Sequence, residues 1–251
     1  MVTAAALDRL AEVARDAGAA IRTFEPAPGP VDLKPDRSPV TDADRAAHGI
    51  IFRALAAWTP DVPVISEEGA IPPYTLRRGW TRFWLVDPLD GTKEFLAGHG
   101  EYTVNIALVE GDAPVMGVVY APAIDLLYVA GRGLGAWKRE RGGDAERIFS
   151  APAPDGAPLV VAESRSHPSA ELEAFLATIP VRARIQGGSS IKFCWVAEGK
   201  ADVYPRFGRT MEWDTAAGDC VFRQSGRTEE RLSPLRYNTP SLAHARFVIG
   251  R

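Results

Sequence analysis

Cysteine and histidine are scarce in this chain of 251 residues: two of the first and four of the second. The histidines are too scattered for a zinc site, and Cys194 and Cys220 show neither metal-type spacing nor a nucleophile motif. Two isolated thiols fit a reducing cytoplasm. No apolar run approaches the roughly 20 residues that a membrane-spanning helix needs, so no membrane insertion is expected. The opening Met1-Val2-Thr3-Ala4-Ala5-Ala6-Leu7-Asp8-Arg9 acquires charge too early for a signal peptide; a cytoplasmic protein is expected. Charge of one sign is also missing. The net −3 gives no electrostatic case for a nucleic-acid polymer or a membrane surface, though it leaves a nucleotide open. No internal repeat and no low-complexity tract occurs. What is there is ordinary for a globular protein, 46% hydrophobic and 24% charged, long enough for one large domain or two modest ones.

The chain opens on an Ala- and Leu-rich stretch, residues 4 to about 24, with Leu7, Leu10, Val13, Ala17 and Ile21 at helical spacing. It stops at the breaker run Pro26-Ala27-Pro28-Gly29-Pro30. Lys34 to Ser38 is polar. Thr41 or Asp42 then caps a second helix running to about Trp58, with Asp44 in its first turn. Pro63 to Ser66 reads as a strand ending at Glu67, and residues 70 to 82, with Arg77 and Arg78, read as a solvated loop. From Tyr102 to Lys138, apolar and small residues alternate between Gly-containing turns, the pattern of an antiparallel meander. Arg139 to Pro158 reads as a loop or short strand crossing between subdomains. Beyond it strands and helices alternate: strand 159–162, helix 168–178, strand 181–186, helix 189–198, strand 201–204 and helix 215–225. A closing strand is expected at 245–249, and the whole second half reads as an α/β layer.

One stretch organises the rest: Phe83-Trp84-Leu85-Val86-Asp87-Pro88-Leu89-Asp90-Gly91-Thr92-Lys93-Glu94-Phe95. Four apolar residues read as a buried strand, followed by two carboxylates three apart with Pro88 stiffening the link. Gly91 and Thr92 stand where a turn into a helix would face its amides toward an anion. Two acids, the Leu89 carbonyl and the Thr92 hydroxyl are hard oxygen ligands, suited to magnesium and to the phosphate such a metal would hold. The plainer alternative is a strand ending in a polar turn, with Asp90 capping a helix. Gly187-Gly188-Ser189-Ser190 marks another strand-to-helix turn, open to anion binding or to simple turn chemistry.

Two further stretches give that central one its company: Val64-Ile65-Ser66-Glu67-Glu68-Gly69 before it, and Glu212-Trp213-Asp214-Thr215-Ala216-Ala217-Gly218 far downstream. Together the three resemble the inositol monophosphatase superfamily of magnesium-dependent, lithium-sensitive phosphatases. The stretches 102–107, 117–122, 164–167, 188–194 and 204–208 resemble its bisphosphate-nucleotidase branch, and the similarity runs from about Ser38 to Gly218. The resemblance implies up to three magnesium ions. It places Glu67, Asp87 and the Leu89 carbonyl at one of them, and Asp87, Asp90 and Asp214 at a second. Neighbours on a strand or turn point apart, so only one of Glu67 and Glu68 can be a ligand, and the resemblance selects Glu67. Thr92, oriented by Asp44, would help take the proton from the attacking water, with Glu67 beside them. Lys192 and Arg206 would hold the phosphate that stays; Ser166, His167, Gly187, Ser189 and Ser190 would surround it, although His167 reads equally as surface polarity, and Gly91 and Thr92 would bind the substrate at the metal-held phosphate. Asp87, Asp90, Glu67 and Asp214 would repel one another by roughly 3 kcal/mol per pair at about 5 Å, a cluster that only cations make sensible. Two such ions would activate water on one side and stabilise a leaving alkoxide on the other.

The expectation is therefore a layered α-β-α-β-α sugar-phosphatase fold of the α/β (α+β) class with two subdomains. Residues 1–150 would carry most metal ligands, and 151–251 would carry Asp214 and the substrate contacts. The expected activity is magnesium-dependent hydrolysis of a small phosphate ester, adenosine 3′,5′-bisphosphate, to AMP and phosphate. An inositol or sugar phosphate monophosphatase is the alternative enzyme, and a catalytically silent phosphate sensor the alternative class. Monomer and homodimer are left open. The segment after Gly218 departs from the family pattern.

Overall fold

The computed structural model describes residues 2–25, 31–33, 39–150, 152–166, 169–226 and 233–250. His167 and the polar stretch Lys34–Ser38 lie outside them. Two helices come first, α1 (Ala4–Arg22) and α2 (Asp42–Trp58), separated by a small hairpin of β1 (Val31–Leu33) and β2 (Pro39–Thr41) that the sequence pattern does not announce. The Thr3 hydroxyl caps α1 by accepting the Ala6 N–H. Leu7, Leu10, Ala14, Ala17 and Ile21 form its buried stripe, as their spacing predicts.

β3 (Val64–Ser66), the helical turn α3 (Tyr74–Arg77), β4 (Arg82–Asp90) and α4 (Thr92–Leu96) follow. Next come β5 (Thr103–Glu110), β6 (Ala113–Ala121), β7 (Leu126–Gly131), β8 (Gly135–Glu140) and β9 (Glu146–Ile148). These strands form one sheet in chain order, β3 to β9, antiparallel except for the parallel β3–β4 pair. The meander is as expected, and the crossing segment contributes the edge strand β9.

The remaining elements are β10 (Leu159–Ser164), α5 (Ala170–Leu176), β11 (Val181–Gly187), α6 (Ile191–Ala197) and β12 (Val203–Arg206). After them come β13 (Thr210–Met211), α7 (Glu212–Gln224), β14 (Ala243–His244) and β15 (Phe247–Gly250). The second sheet has the order β11-β10-β12-β15, parallel except for β15. β13 and β14 pair separately.

Both faces of the first sheet are covered, so its strands read as nearly unbroken apolar runs rather than as alternation with polar residues. Trp84, Val86, Val104, Ile106 and Val118 turn toward α1 and α2. Phe83, Leu85, Ala107 and Val119 turn the other way, into a core shared with Phe193 and Val196 of α6 and Trp213, Ala217 and Cys220 of α7. On the far side of the second sheet, Leu159, Val161 and Val203 pack against Leu172 and Leu176 of α5. The layers thus run α-β-α-β-α, and one core joins the two halves of the chain. Small residues on β6 and α7 are what let the helix approach: a Cβ on Gly117 would lie 2.9 Å from the Ala217 carbonyl, and one on Gly218 2.7 Å from Phe193.

Residues 70 to 82 depart from expectation. Arg77 is only 2% exposed, drawn inward by partners from the far end of the chain rather than left to solvent. Among the described residues no helix is long and apolar enough to cross a membrane.

Candidate active site

β4 brings its two carboxylates to one place by breaking its own register. Asp87 pairs with Asn105 and Asp90 with Thr103, so three steps on β4 match two on β5. In a regular strand, positions of opposite parity face opposite ways; the bulge at Pro88–Leu89 turns both acids toward the same end of the sheet. Pro88, which has no N–H for the ladder, is well suited to such a break. The Leu89 amide closes it by donating to Asp87 Oδ1 at 3.0 Å. Gly91 follows at φ 89°, a left-handed turn that favours glycine, and α4 begins at Thr92.

Glu67 at the end of β3, Asp87 on β4 and Asp214 at the start of α7 each place a carboxylate oxygen within 4.8 Å of the others. Burial is the main force raising the Asp87 carboxyl well above its usual range, and the charges of Glu67, Asp90 and Asp214 add to it. Burial, then Asp90 and Glu67, do the same to Asp214. Asp90 rises to about 6, mainly through burial, with the Lys192 ammonium and the Ser190 hydroxyl pulling back. A cation among these carboxylates would offset their burial and mutual repulsion and favour the ionised forms. No histidine or cysteine joins the group among the described residues, so the donor set is all oxygen and fits a hard divalent ion.

Asn105 and Ser190 hold the acids in place. The Asn105 amide donates to Asp90 Oδ2 at 3.2 Å and to Ser190 Oγ at 2.8 Å. The Ser190 hydroxyl faces Asp90 Oδ2 at 2.9 Å and the Asp214 carbonyl. Ser190 therefore serves the acid cluster first, although it also lines the cleft. Asp214 Oδ2 accepts the Met211 amide at 2.9 Å, capping the helix it sits on.

Asp44 has one oxygen for structure and one for the cleft. Oδ2 accepts from the Thr41 amide at 2.8 Å and the Thr41 hydroxyl at 2.7 Å. Oδ1 faces the Thr92 hydroxyl at 3.4 Å, and that hydroxyl has a second acceptor in the Leu89 carbonyl at 3.3 Å.

The cleft holds 280 Å³ and is lined by Glu67, Asp90, Gly91, Thr92, Ser189, Ser190, Lys192, Arg206 and Asp214. Asp87 and Leu89 lie beneath it, almost fully buried. Lys192 is 3% exposed, donates to the carbonyls of Gly187 and Ser189, and is pushed by burial down to about 8. Gly187 thus acts through its carbonyl. Arg206 is aimed by a 3.0 Å bond from Nε to the Thr210 hydroxyl. Ser166 stands apart: its hydroxyl donates to Glu94 at 2.5 Å, in a neighbouring groove that Arg206 also borders.

Several residues without a signal in the sequence complete the site. Glu101 receives a two-pronged bond from Arg165 and the Gly188 amide at 2.9 Å, while its carbonyl accepts the Ser189 hydroxyl. That network holds Ser189 at φ 40°, left-handed for a residue with a side chain. Lys93 and Arg209 add positive charge to the rim.

The sequence pattern of the inositol monophosphatase family matches residues 4–233. The chain is 48% identical over 222 residues to a 3′(2′),5′-bisphosphate nucleotidase CysQ from Escherichia coli strain K12, covering 88% of each protein. It is 34% identical to a CysQ nucleotidase from Aggregatibacter actinomycetemcomitans over all of this chain and 94% of that one. The crystal structure of CysQ from Bacteroides thetaiotaomicron superposes with a TM-score of 0.81 at 41% identity, over 97% of this chain and 96% of the other.

Proposed function

The chain belongs to the inositol monophosphatase family, and on that premise we propose that it is a magnesium-dependent phosphomonoesterase that converts adenosine 3′,5′-bisphosphate to AMP and phosphate. The observation that carries this reading is one cleft lined both by acids and by cations: carboxylates from β3, β4 and α7, and the buried Lys192 with Arg206. A monoester needs only the acids and the metal they would hold. A second phosphate would explain the cations, where an ammonium and a guanidinium would take its charge.

Glu67, Asp87, the Leu89 carbonyl, Asp90 and Asp214 would hold two to three magnesium ions. When bound, such ions supply Lewis acidity and lower the pKa of water. Thr92 Oγ would receive a proton from the attacking water as its own hydrogen passes toward Asp44 Oδ1, a role supported by the contact between them. Glu67 borders the same space from β3. Gly91 would line the scissile phosphate, and Lys192 and Arg206, with Ser189 near them, would fix the phosphate that remains, so that binding energy away from the reacting bond orients it. Residues 1–150 and 151–251 act here as two subdomains, each contributing one side of the cleft. Two free, buried thiols are in keeping with a cytoplasmic enzyme.

The test is phosphate release from adenosine 3′,5′-bisphosphate, inositol monophosphate and fructose bisphosphate, in magnesium and in chelator. The bisphosphate nucleotide should be preferred, magnesium required and lithium inhibitory. Asp90→Asn should lower turnover by at least about 100-fold with the fold intact. Undiminished activity in chelator would overturn the metal assignment, preference for the monophosphate would favour the broader monophosphatase, and no turnover of any ester would leave a phosphate sensor.

A further inference from the structure

Arg77 reads from sequence as half of a solvated charge pair, and the segment after Gly218 carries no recognised motif. The structure ties them together around the start of α7. Glu212, the first residue of that helix, is fully buried. Its Oε1 accepts from the Thr239 amide at 2.8 Å and the Thr239 hydroxyl at 2.6 Å, and its Oε2 from the Asn238 amide at 2.7 Å. The Asn238 side chain then closes a ring with α3: Oδ1 accepts from Arg77 Nη1 at 2.8 Å, and Nδ2 donates to the Arg77 carbonyl at 2.7 Å. Arg77 Nη2 reaches the Pro240 carbonyl at 2.8 Å. The Glu212 amide donates to the Leu242 carbonyl at 2.8 Å, and the β13–β14 pair continues the attachment to His244.

We propose that Arg77, Asn238 and Glu212 are positioning residues that set the first turn of α7, and with it Asp214, at the place where a divalent cation is bound. This rests on the reading of Asp214 as a metal ligand. Three observations carry it. Glu67 and Asp87 come from neighbouring strands of one sheet, whereas Asp214 arrives on a helix from the other half of the chain and needs its own anchorage. The Asp214 carboxylate is bonded to Met211 within the same turn, so a shift of that turn carries the ligand with it. The anchorage is built from buried charge: Arg77 supplies the cation opposite Glu212, and Asn238, held at φ 64°, fits a left-handed position that Asn tolerates. A loop needed only for cover would not bury a carboxylate and a guanidinium and join them through a half-buried amide. Because α3 follows β3, the ring also joins the loop after Glu67 to the helix of Asp214.

The test uses the full-length protein and the variants Arg77→Met, Asn238→Ala and Glu212→Gln, with Asp214→Asn in parallel. Two readouts are taken: the magnesium concentration for half-maximal phosphate release, and the rise in melting temperature on adding magnesium, which needs no turnover. Arg77→Met and Asn238→Ala should weaken half-saturation roughly 10- to 100-fold, as expected when a metal ligand loses its support. They should also shrink the magnesium-induced rise, while kcat at saturating magnesium returns to within about threefold of wild type. Arg77→Lys, which keeps the charge without the fork, should recover part of the loss. Glu212→Gln is the most exposed to misfolding, and Asn238→Ala keeps the test decisive if it fails. Variants that melt lower in chelator but saturate at the wild-type magnesium concentration would make the ring structural only. If Asp214→Asn abolishes the magnesium response while the ring variants leave it unchanged, the positioning role alone falls. If Asp214→Asn changes nothing, both assignments fall.

Discussion

Asp44 divides its two oxygens between stability and chemistry, and two substitutions separate them. In Asp44→Asn the Thr41 amide and hydroxyl, at 2.8 and 2.7 Å, both donate and so claim the one oxygen that Asn has. The new NH2 then faces Thr92 Oγ, offering a donor where an acceptor stood. Thr92 can no longer pass a proton in that direction. Loss of a general acid–base partner costs about 10²- to 10⁴-fold. The Leu89 carbonyl still orients the Thr92 hydroxyl at 3.3 Å without taking its proton, so the expected fall in kcat is at least about 100-fold. Two charge-assisted bonds become neutral ones, costing about 1 kcal/mol of stability and about 2–4 °C in Tm for a chain of this size. Thr41→Ala removes the hydroxyl at the helix start and should cost a similar 0.5–2 kcal/mol, yet leave kcat within about threefold, because Asp44 Oδ1 is untouched. The assay is phosphate release at saturating magnesium and substrate, well below either melting point, beside a thermal melt in chelator. If kcat falls in step with Tm across the two variants, Asp44 is only a cap and the proton path through Thr92 is wrong.

Arg206→Ala should raise KM for adenosine 3′,5′-bisphosphate about 10- to 100-fold, the size of one lost charge-assisted contact of about 1.5–3 kcal/mol. Inositol monophosphate, with no second phosphate, should be little affected, and equal loss on both substrates would tie Arg206 to the metal-held phosphate instead. His244 is 8% exposed, and burial lowers it from 6.5 to about 4. The unfolded chain therefore takes the proton first, so its contribution is full above about pH 6.5 and is lost as pH falls toward 4, by about 2 kcal/mol at pH 5. His244→Phe should flatten that part of the urea-denaturation profile between pH 7 and 5, and an unchanged slope would refute it.

Elements whose partners are close in sequence were legible. The stripe of α1 follows from Leu7, Leu10, Ala17 and Ile21, and the end of α1 from the prolines beyond it. The strand–turn–helix at 83–95 follows from four apolar residues, Pro88 and Gly91. The acid cluster was legible for a different reason: the resemblance to the inositol monophosphatase family joined Glu67, Asp87 and Asp214 across long stretches of sequence, and the structure brings one carboxylate oxygen of each within 4.8 Å of the others. What stayed hidden depends on partners far along the chain. Nothing around Arg77 announces Asn238, and nothing around Asn105 announces Ser190. Both pairs are chosen by the packing of α7 against the sheet. The hairpin β1–β2 was missed because three-residue strands carry too little periodicity to register. Ser190 was matched to substrate by its neighbours, yet its hydroxyl lies against Asp90 and the Asp214 carbonyl, a preference visible only once the halves meet.

The break in register at Pro88–Leu89 has a consequence for how this chain can vary. A strand counts by twos, and an odd offset between Asp87 and Asp90 is an arithmetic fault that the ladder would gain by correcting. Deleting one residue there would leave β4 better paired with β5, with the two acids two apart and still on one face, but it would remove the bulge that turns the Leu89 carbonyl toward Thr92. The repaired strand would be the more regular one, and the oxygen that Leu89 lends to the site would be lost. Length is therefore a tightly held property of this stretch: the Leu89 side chain is buried in the core, and its carbonyl faces Thr92 only while its place in the count is kept.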